Sequence, residues 1–223
     1  MSDGSPVPPG YVRLILALDP CFYLEIPLTE IDALCLSPRK YLVFLAWCIL
    51  DLSHAVDPKV VKTGTTGLSQ TTETRDAFRD ELLGRDGQCV FTGADAVVMH
   101  IIPFKCGSEW FRRIVENRAH DDENVENLTD INDIRNGMLA LDLLRTWFDA
   151  RGVAILKTPN RYLNRSDIPP RANRLCPLPV GATYPLAEHY TIQWLGQPAL
   201  ATRLMLPNNS EAAFISGTGG QSH

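Results

Sequence analysis

The chain has 223 residues, 45% of them hydrophobic and 21% charged, enough apolar material for one sizeable core or a core with a small appendage. This composition excludes a fibrous, collagen-like or fully disordered protein. A net charge of −5 excludes the chain-wide excess of Lys and Arg that non-specific nucleic-acid binders carry, so any such surface is local.

Residues 1–10 (MSDGSPVPPG) are polar and Pro-rich, unlike a signal-peptide core, and the expected compartment is the cytoplasm. Two apolar runs, YVRLILAL and CFYLEIPL, read as strands. The most apolar run, Tyr41 to Leu50, is about half the length a membrane span needs. It reads as a buried helix that starts at Ser37-Pro38 and ends near Asp51, and no membrane partner is expected. The Thr/Gly/Ser-rich stretch VDPKVVKTGTTGLSQTTET reads as a linker or exposed loop.

From Thr74, TRDAFRDELLGRDG spaces Phe78, Leu82 and Leu83 as an amphipathic helix ended by Gly84 or Gly87. In QCVFTGADAVVMHIIPF two short β-prone runs flank Thr92-Gly93-Ala94-Asp95, which predicts a hairpin over residues 88–103. SEWFRRIVENR reads as a helix with Ser108 as N-cap. An acidic loop over 121–134 follows. RNGM then reads as a turn that opens a helix, LALDLLRTWFDARG, with the apolar stripe Leu141, Leu144, Phe148 and a stop at Gly152. VAIL and HYTIQWL read as strands. Between Arg151 and Arg174 lie six basic residues against Asp167 alone, the one local basic stretch that could meet nucleic acid. The last ten residues read as a frayed tail. Six cysteines without a CxxC pair read as buried thiols in a reducing compartment.

Taken together, GRDGQCVFTGADAVVMHIIPF, IRNGMLAL and WFD resemble the HNH (ββα-metal) nuclease family. The likeness is to the fungal branch, in which a Cys-x-x-Thr-Gly hairpin leads into a His-Ile-x-Pro strand end. The resemblance covers roughly residues 75–157 and rests on Cys89, Thr92, Gly93, His100, Asn136, Gly137, Phe148 and Asp149 in order. It implies an α+β fold: an HNH ββα core of hairpin, loop and helix over residues 74–163. Residues 1–73 form an N-terminal strand and helix region, and residues 164–223 a C-terminal strand extension packed on the core. It also implies that His100 is the general base and that Asn136 pins the loop aiming it. The family's metal is usually held by a His on the helix.

That position here is Arg145, and none of the five His (His54, His100, His120, His189, His223) lies between Asn136 and the end of the helix. A guanidinium cannot ligate a metal. The favoured reading is therefore a diverged, metal-free HNH-fold enzyme acting on a small molecule, by cyclisation, lyase or isomerisation chemistry in fungal secondary metabolism. His100 is its acid–base group and Arg145 its anion clamp. Asp142, Asp149, Trp110 and His189 are candidate substrate contacts. The first alternative is an endonuclease using a divalent metal such as Mg or Zn, with His100, Asp142 and Asp149 as the remaining ligand set. It would bind nucleic acid through residues 151–174 and allow a nuclear location. The second alternative is a binding protein without catalysis.

Overall fold

The two N-terminal apolar runs pair as expected. Tyr11–Leu16 (β1) and Phe22–Pro27 (β2) form an antiparallel hairpin in which Arg13 stands opposite Glu25 and donates to it at 2.9 Å. The structure, a computed structural model, describes residues 6–16, 22–55, 72–117, 128–171, 174, 176–195 and 198–215. Most of the Thr/Gly/Ser-rich stretch, residues 118–127 of the acidic loop and the end of the tail lie outside the described residues.

Leu28–Leu34 (α1) leads into Pro38–Ala55 (α2). Pro38 takes the first helical position, where a missing N–H costs nothing. The helix runs past Asp51 and is only partly covered: Tyr41 is buried, Val43 is exposed. Ile31, Leu34, Cys35 and Tyr41 share a buried cluster with Leu156, Leu163 and Ile168, so this N-terminal region packs on the C-terminal half of the chain. A buried hydrogen bond from the Tyr41 hydroxyl to Gln193, 2.7 Å long, crosses the same contact.

Thr72–Asp86 (α3) buries Phe78 and Leu82, one turn apart, and leaves Leu83 exposed. It stops at Gly87, whose φ of 66° is the left-handed conformation that favours glycine. The expected hairpin over 88–103 does not form. Cys89, Val90 and Phe91 are buried in a turn, where the amides of Cys89 and Gly93 bond within 89–94 and Val90 donates to Leu139. Val97–His100 (β3) pairs instead with Gly137–Ala140 (β4), His100 opposite Gly137.

The Asn-Gly pair is thus no left-handed turn. Asn136 closes a short 3-10 turn (Ile134–Asn136), and Gly137 is extended with φ −139°. Glycine is needed there for space, because a Cβ would stand 2.4 Å from Phe78 Cζ and 2.8 Å from Leu82 Cδ1. Gly107–Asn117 (α4) begins before Ser108. The Ser108 hydroxyl, expected to cap the helix, instead accepts from the Ile131 amide at 3.1 Å and ties the helix to the loop before β4.

Asp142–Asp149 (α5) is shorter than the expected helix because β4 takes its first residues. Leu144 packs with Met99, Met138 and Ala140 in the main core, flanked by Leu141, Trp147 and Phe148. Val153–Thr158 (β5) then pairs antiparallel with His189–Trp194 (β7), Thr158 opposite His189. Ala182–Thr183 (β6) pairs with Phe214–Ile215 (β8), and Leu200–Met205 (α6) lies between β7 and β8 in sequence. Among the described residues the fold is mixed α+β, with six α-helices and four two-stranded antiparallel sheets. None of these helices is long and apolar enough to cross a membrane.

One carboxylate fastens the start of α2 to the segment after β5. Asp167 accepts from the Ser37 hydroxyl at 2.7 Å, from Lys40 Nζ at 2.9 and 3.0 Å, and from the Asn164 amide at 2.9 Å. The backbone bond from Asn164, then Ser37 and Lys40, pull its pKa down to about 2. A carboxyl depressed in the folded state stabilises above its unfolded pKa and loses that contribution as pH falls toward the folded value. Lys40 is half exposed, so solvent screens its share. Denaturant titrations of wild type and Asp167→Asn should therefore differ by roughly 1–2 kcal/mol at pH 7, the gap closing between about pH 4 and pH 2.

Candidate functional site

His100 and Asn136 are brought together by the β3–β4 pairing, and the side chain of Asn136 is what fixes them. Asn136 is 3% exposed. Its Oδ1 accepts from the Ile102 amide at 2.8 Å, and its Nδ2 donates to the carbonyls of Ile131 at 2.8 Å and Ile102 at 3.1 Å. Its backbone carbonyl accepts from the Ile101 amide at 2.8 Å. The two residues after His100 are thereby locked to the loop that precedes β4.

The half-buried His100 ring stacks on Phe78 of α3 with centroids 4.4 Å apart and lies 5.6 Å from the Phe104 ring, tilted. Its Nε2 is 3.1 Å from Asn132 Oδ1. With an amide oxygen as partner, Nε2 carries the proton.

Arg145 lies on α5, which packs beside β3. Its guanidinium is half exposed and donates at 2.7 Å to Asp142, one turn earlier on the same helix. Asp149 is exposed at the helix end, and Trp110 is half-buried on α4. His100, Asp142 and Asp149 do not assemble into a ligand set: among the described residues, no group of three or more His, Cys, Asp or Glu could hold a metal ion. The donor set therefore does not fit the metal that the HNH resemblance implies, since the helix position offers a cation.

The basic stretch 151–174 is neutralised in part. Lys157 pairs with Glu188 at 2.7 Å and Arg171 with Glu211 at 2.8 Å, while Arg174 reaches the Tyr184 hydroxyl. Of the cysteines, Cys35 and Cys89 are buried free thiols as expected, but Cys176 is exposed.

His189 belongs to a separate place. It is buried on β7, with Nδ1 2.7 Å from Glu211 Oε1, and Glu211 Oε2 accepts from Arg171 Nε at 2.8 Å. These groups line a cavity of about 190 Å³ together with Thr158, Arg165, Thr191 and Asn209. Burial, then the positive charges of Arg165 and Arg171, lower the His189 pKa against the opposing pull of Glu211. Glu211 was not a candidate from sequence, and Arg165 and Arg171 counted there only as part of the basic stretch 151–174, because the three stand up to 46 positions apart (165 to 211) and no spacing rule links them.

No protein-family model, curated protein or solved structure matches the chain.

Asn136 offers a direct check on the clamp. In Asn136→Asp, a carboxylate would face the carbonyls of Ile102 and Ile131, which need a donor. Denaturant unfolding should show a loss of about 2–3 kcal/mol, the size expected when buried partners are left unpaired.

Proposed function

We propose that the chain is a diverged HNH-type ββα protein that works on a small molecule by metal-free histidine acid–base chemistry. The observation that carries this reading is the Asn136 clamp. In the family the central Asn fixes the loop that aims the strand-end His, and here the buried Asn136 amide ties Ile102, just past His100, to Ile131. The order of strand, long loop, strand and helix supports the same reading, with His100 opposite Gly137 and α5 packed beside β3.

On this reading the strand-end histidine is retained and the metal side is replaced. The His100 imidazole exchanges a proton with the substrate, while Phe78 and Phe104 supply an apolar wall that keeps the ring in one orientation. Arg145 carries the positive charge on the helix. To bind a substrate anion it must exchange Asp142 for the ligand, which an exposed i, i+3 pair allows at small cost. Pairing of Lys157 and Arg171 with acidic residues weighs against the endonuclease alternative, since it removes cations from the stretch that would track a phosphate backbone.

A plasmid-nicking assay separates the readings. Wild type is expected to leave supercoiled DNA intact with Mg²⁺, Mn²⁺ or Zn²⁺, and Arg145→His is expected to gain metal-dependent nicking that EDTA abolishes. Nicking by wild type that requires a divalent ion would establish the endonuclease alternative instead.

A further inference from the structure

The cavity beside His189 holds an unusual concentration of unsatisfied polar atoms. His189 Nε2, Thr158 Oγ1, Thr191 Oγ1, Asn209 Oδ1 and Glu211 Oε1 are all buried there without a hydrogen-bond partner. Their residues are each 5% exposed or less. Native interiors leave few such groups, and each costs about 1–3 kcal/mol when nothing meets it. Five around one space of about 190 Å³ mark a place built to receive a polar guest.

The chemistry of the guest follows from what each atom needs. Nδ1 of His189 faces a carboxylate oxygen at 2.7 Å, so Nδ1 carries the proton and Nε2 presents a lone pair to the cavity. Asn209 Nδ2 donates to the Ala33 carbonyl at 3.0 Å, which orients its Oδ1 as a pure acceptor. Three of the five orphans, Glu211 Oε1 among them, can therefore only accept, and the two threonine hydroxyls can do either. The inner part of the guest must bring an O–H donor.

The outer wall asks for the opposite. Arg165 is exposed and, among the described residues, has no ion-pair or side-chain hydrogen-bond partner. Arg171 gives Nε to Glu211 and lays its guanidinium 3.4 Å over the Tyr184 ring, which holds a second positive charge at the same wall. A cationic guest is excluded, because Glu211, the one acid lining the cavity, is already paired with Arg171 and in contact with His189.

We propose that this cavity, separate from the His100 region, is a binding site for a small hydroxy acid. Its anionic group, carboxylate or phosphate, sits on Arg165 and the positive edge of Arg171, and its hydroxyl donates to His189 Nε2. Glu211 is a positioning residue that fixes the imidazole tautomer and holds Arg171 in place.

The test uses the full chain with ¹⁵N-labelled histidine, titrated with L-malate, with glycerol 3-phosphate, and with succinate, which keeps both carboxylates of malate and lacks its hydroxyl. Saturable binding of malate or glycerol 3-phosphate that moves the His189 ring resonances is expected. Whichever of the two binds tighter identifies the anionic group as carboxylate or phosphate. Succinate should bind at least about tenfold more weakly than malate, because the buried acceptors are then left unpaired. Arg165→Gln, a change at an exposed side chain that leaves the fold intact, should weaken binding of the hydroxy acid by about tenfold. The proposal is overturned if none of the three acids binds saturably, if succinate matches malate, or if Arg165→Gln binds as wild type does. The first of these results would mean that the cavity holds solvent alone.

Discussion

A buried primary amide must find partners for both its oxygen and its nitrogen, and Asn136 meets that demand by stitching together two chain segments. One is the exit of β3 at Ile102; the other is Ile131, in the loop returning toward β4. Residues 101–136 form a long excursion between paired strands, and closing such a loop has an entropic cost that the four-residue β3–β4 ladder offsets only in part. The Asn136 bonds reduce that burden at the point where the strands diverge, and they do so beside His100. Around this knot the neighbouring elements are set: Phe78 of α3 presses on Gly137 and on the His100 ring, while Arg85 and Asp86 grip the backbone at Ile134, just before β4, and at Gly137 and Leu139 within it.

The same constraint explains the division between rigid and adaptable parts. His100 is confined by a ring on one side, a second ring nearby and an amide on Nε2, so its imidazole is held in one orientation. Arg145 and Asp142 are both exposed, so the side of the core facing α5 carries charge in a form that can rearrange. The His189 cavity is of the other kind, polar groups fixed in a buried wall with charge at the rim.

Much of the architecture was legible from local pattern. The two N-terminal strands, the Ser37-Pro38 start of α2, the Phe78/Leu82 stripe and the strands at VAIL and HYTIQW all follow from periodicity and stop signals within one short window. The errors came where long-range pairing decides. CVF is apolar enough for a strand, yet those residues are buried as a turn, and the partner of β3 lies 36 residues further on, past the acidic loop. GMLA was hidden because Asn-Gly carries a turn signal, whereas the real requirement for Gly137 is the approach of Phe78. His100 and Asn136 could be nominated from motif order, but the Asn136 bonds to Ile102 and Ile131 needed coordinates. For the cavity, sequence offered His189 alone; Arg165, Arg171, Asn209 and Glu211 converge only through the β5–β7 pairing and the return of the chain after α6.

Native-state hydrogen exchange at Ile101 and Ile102 tests the central claim most directly, because these amides lie outside the β3 ladder and are held by Asn136 alone, one by its carbonyl and one by its side chain. If the Asn136 clamp organises the core, both amides exchange as slowly as Met99 in β3 and open with it in one cooperative unit. Exchange of Ile101 and Ile102 at the rates of an open loop, with Met99 still protected, would contradict the account.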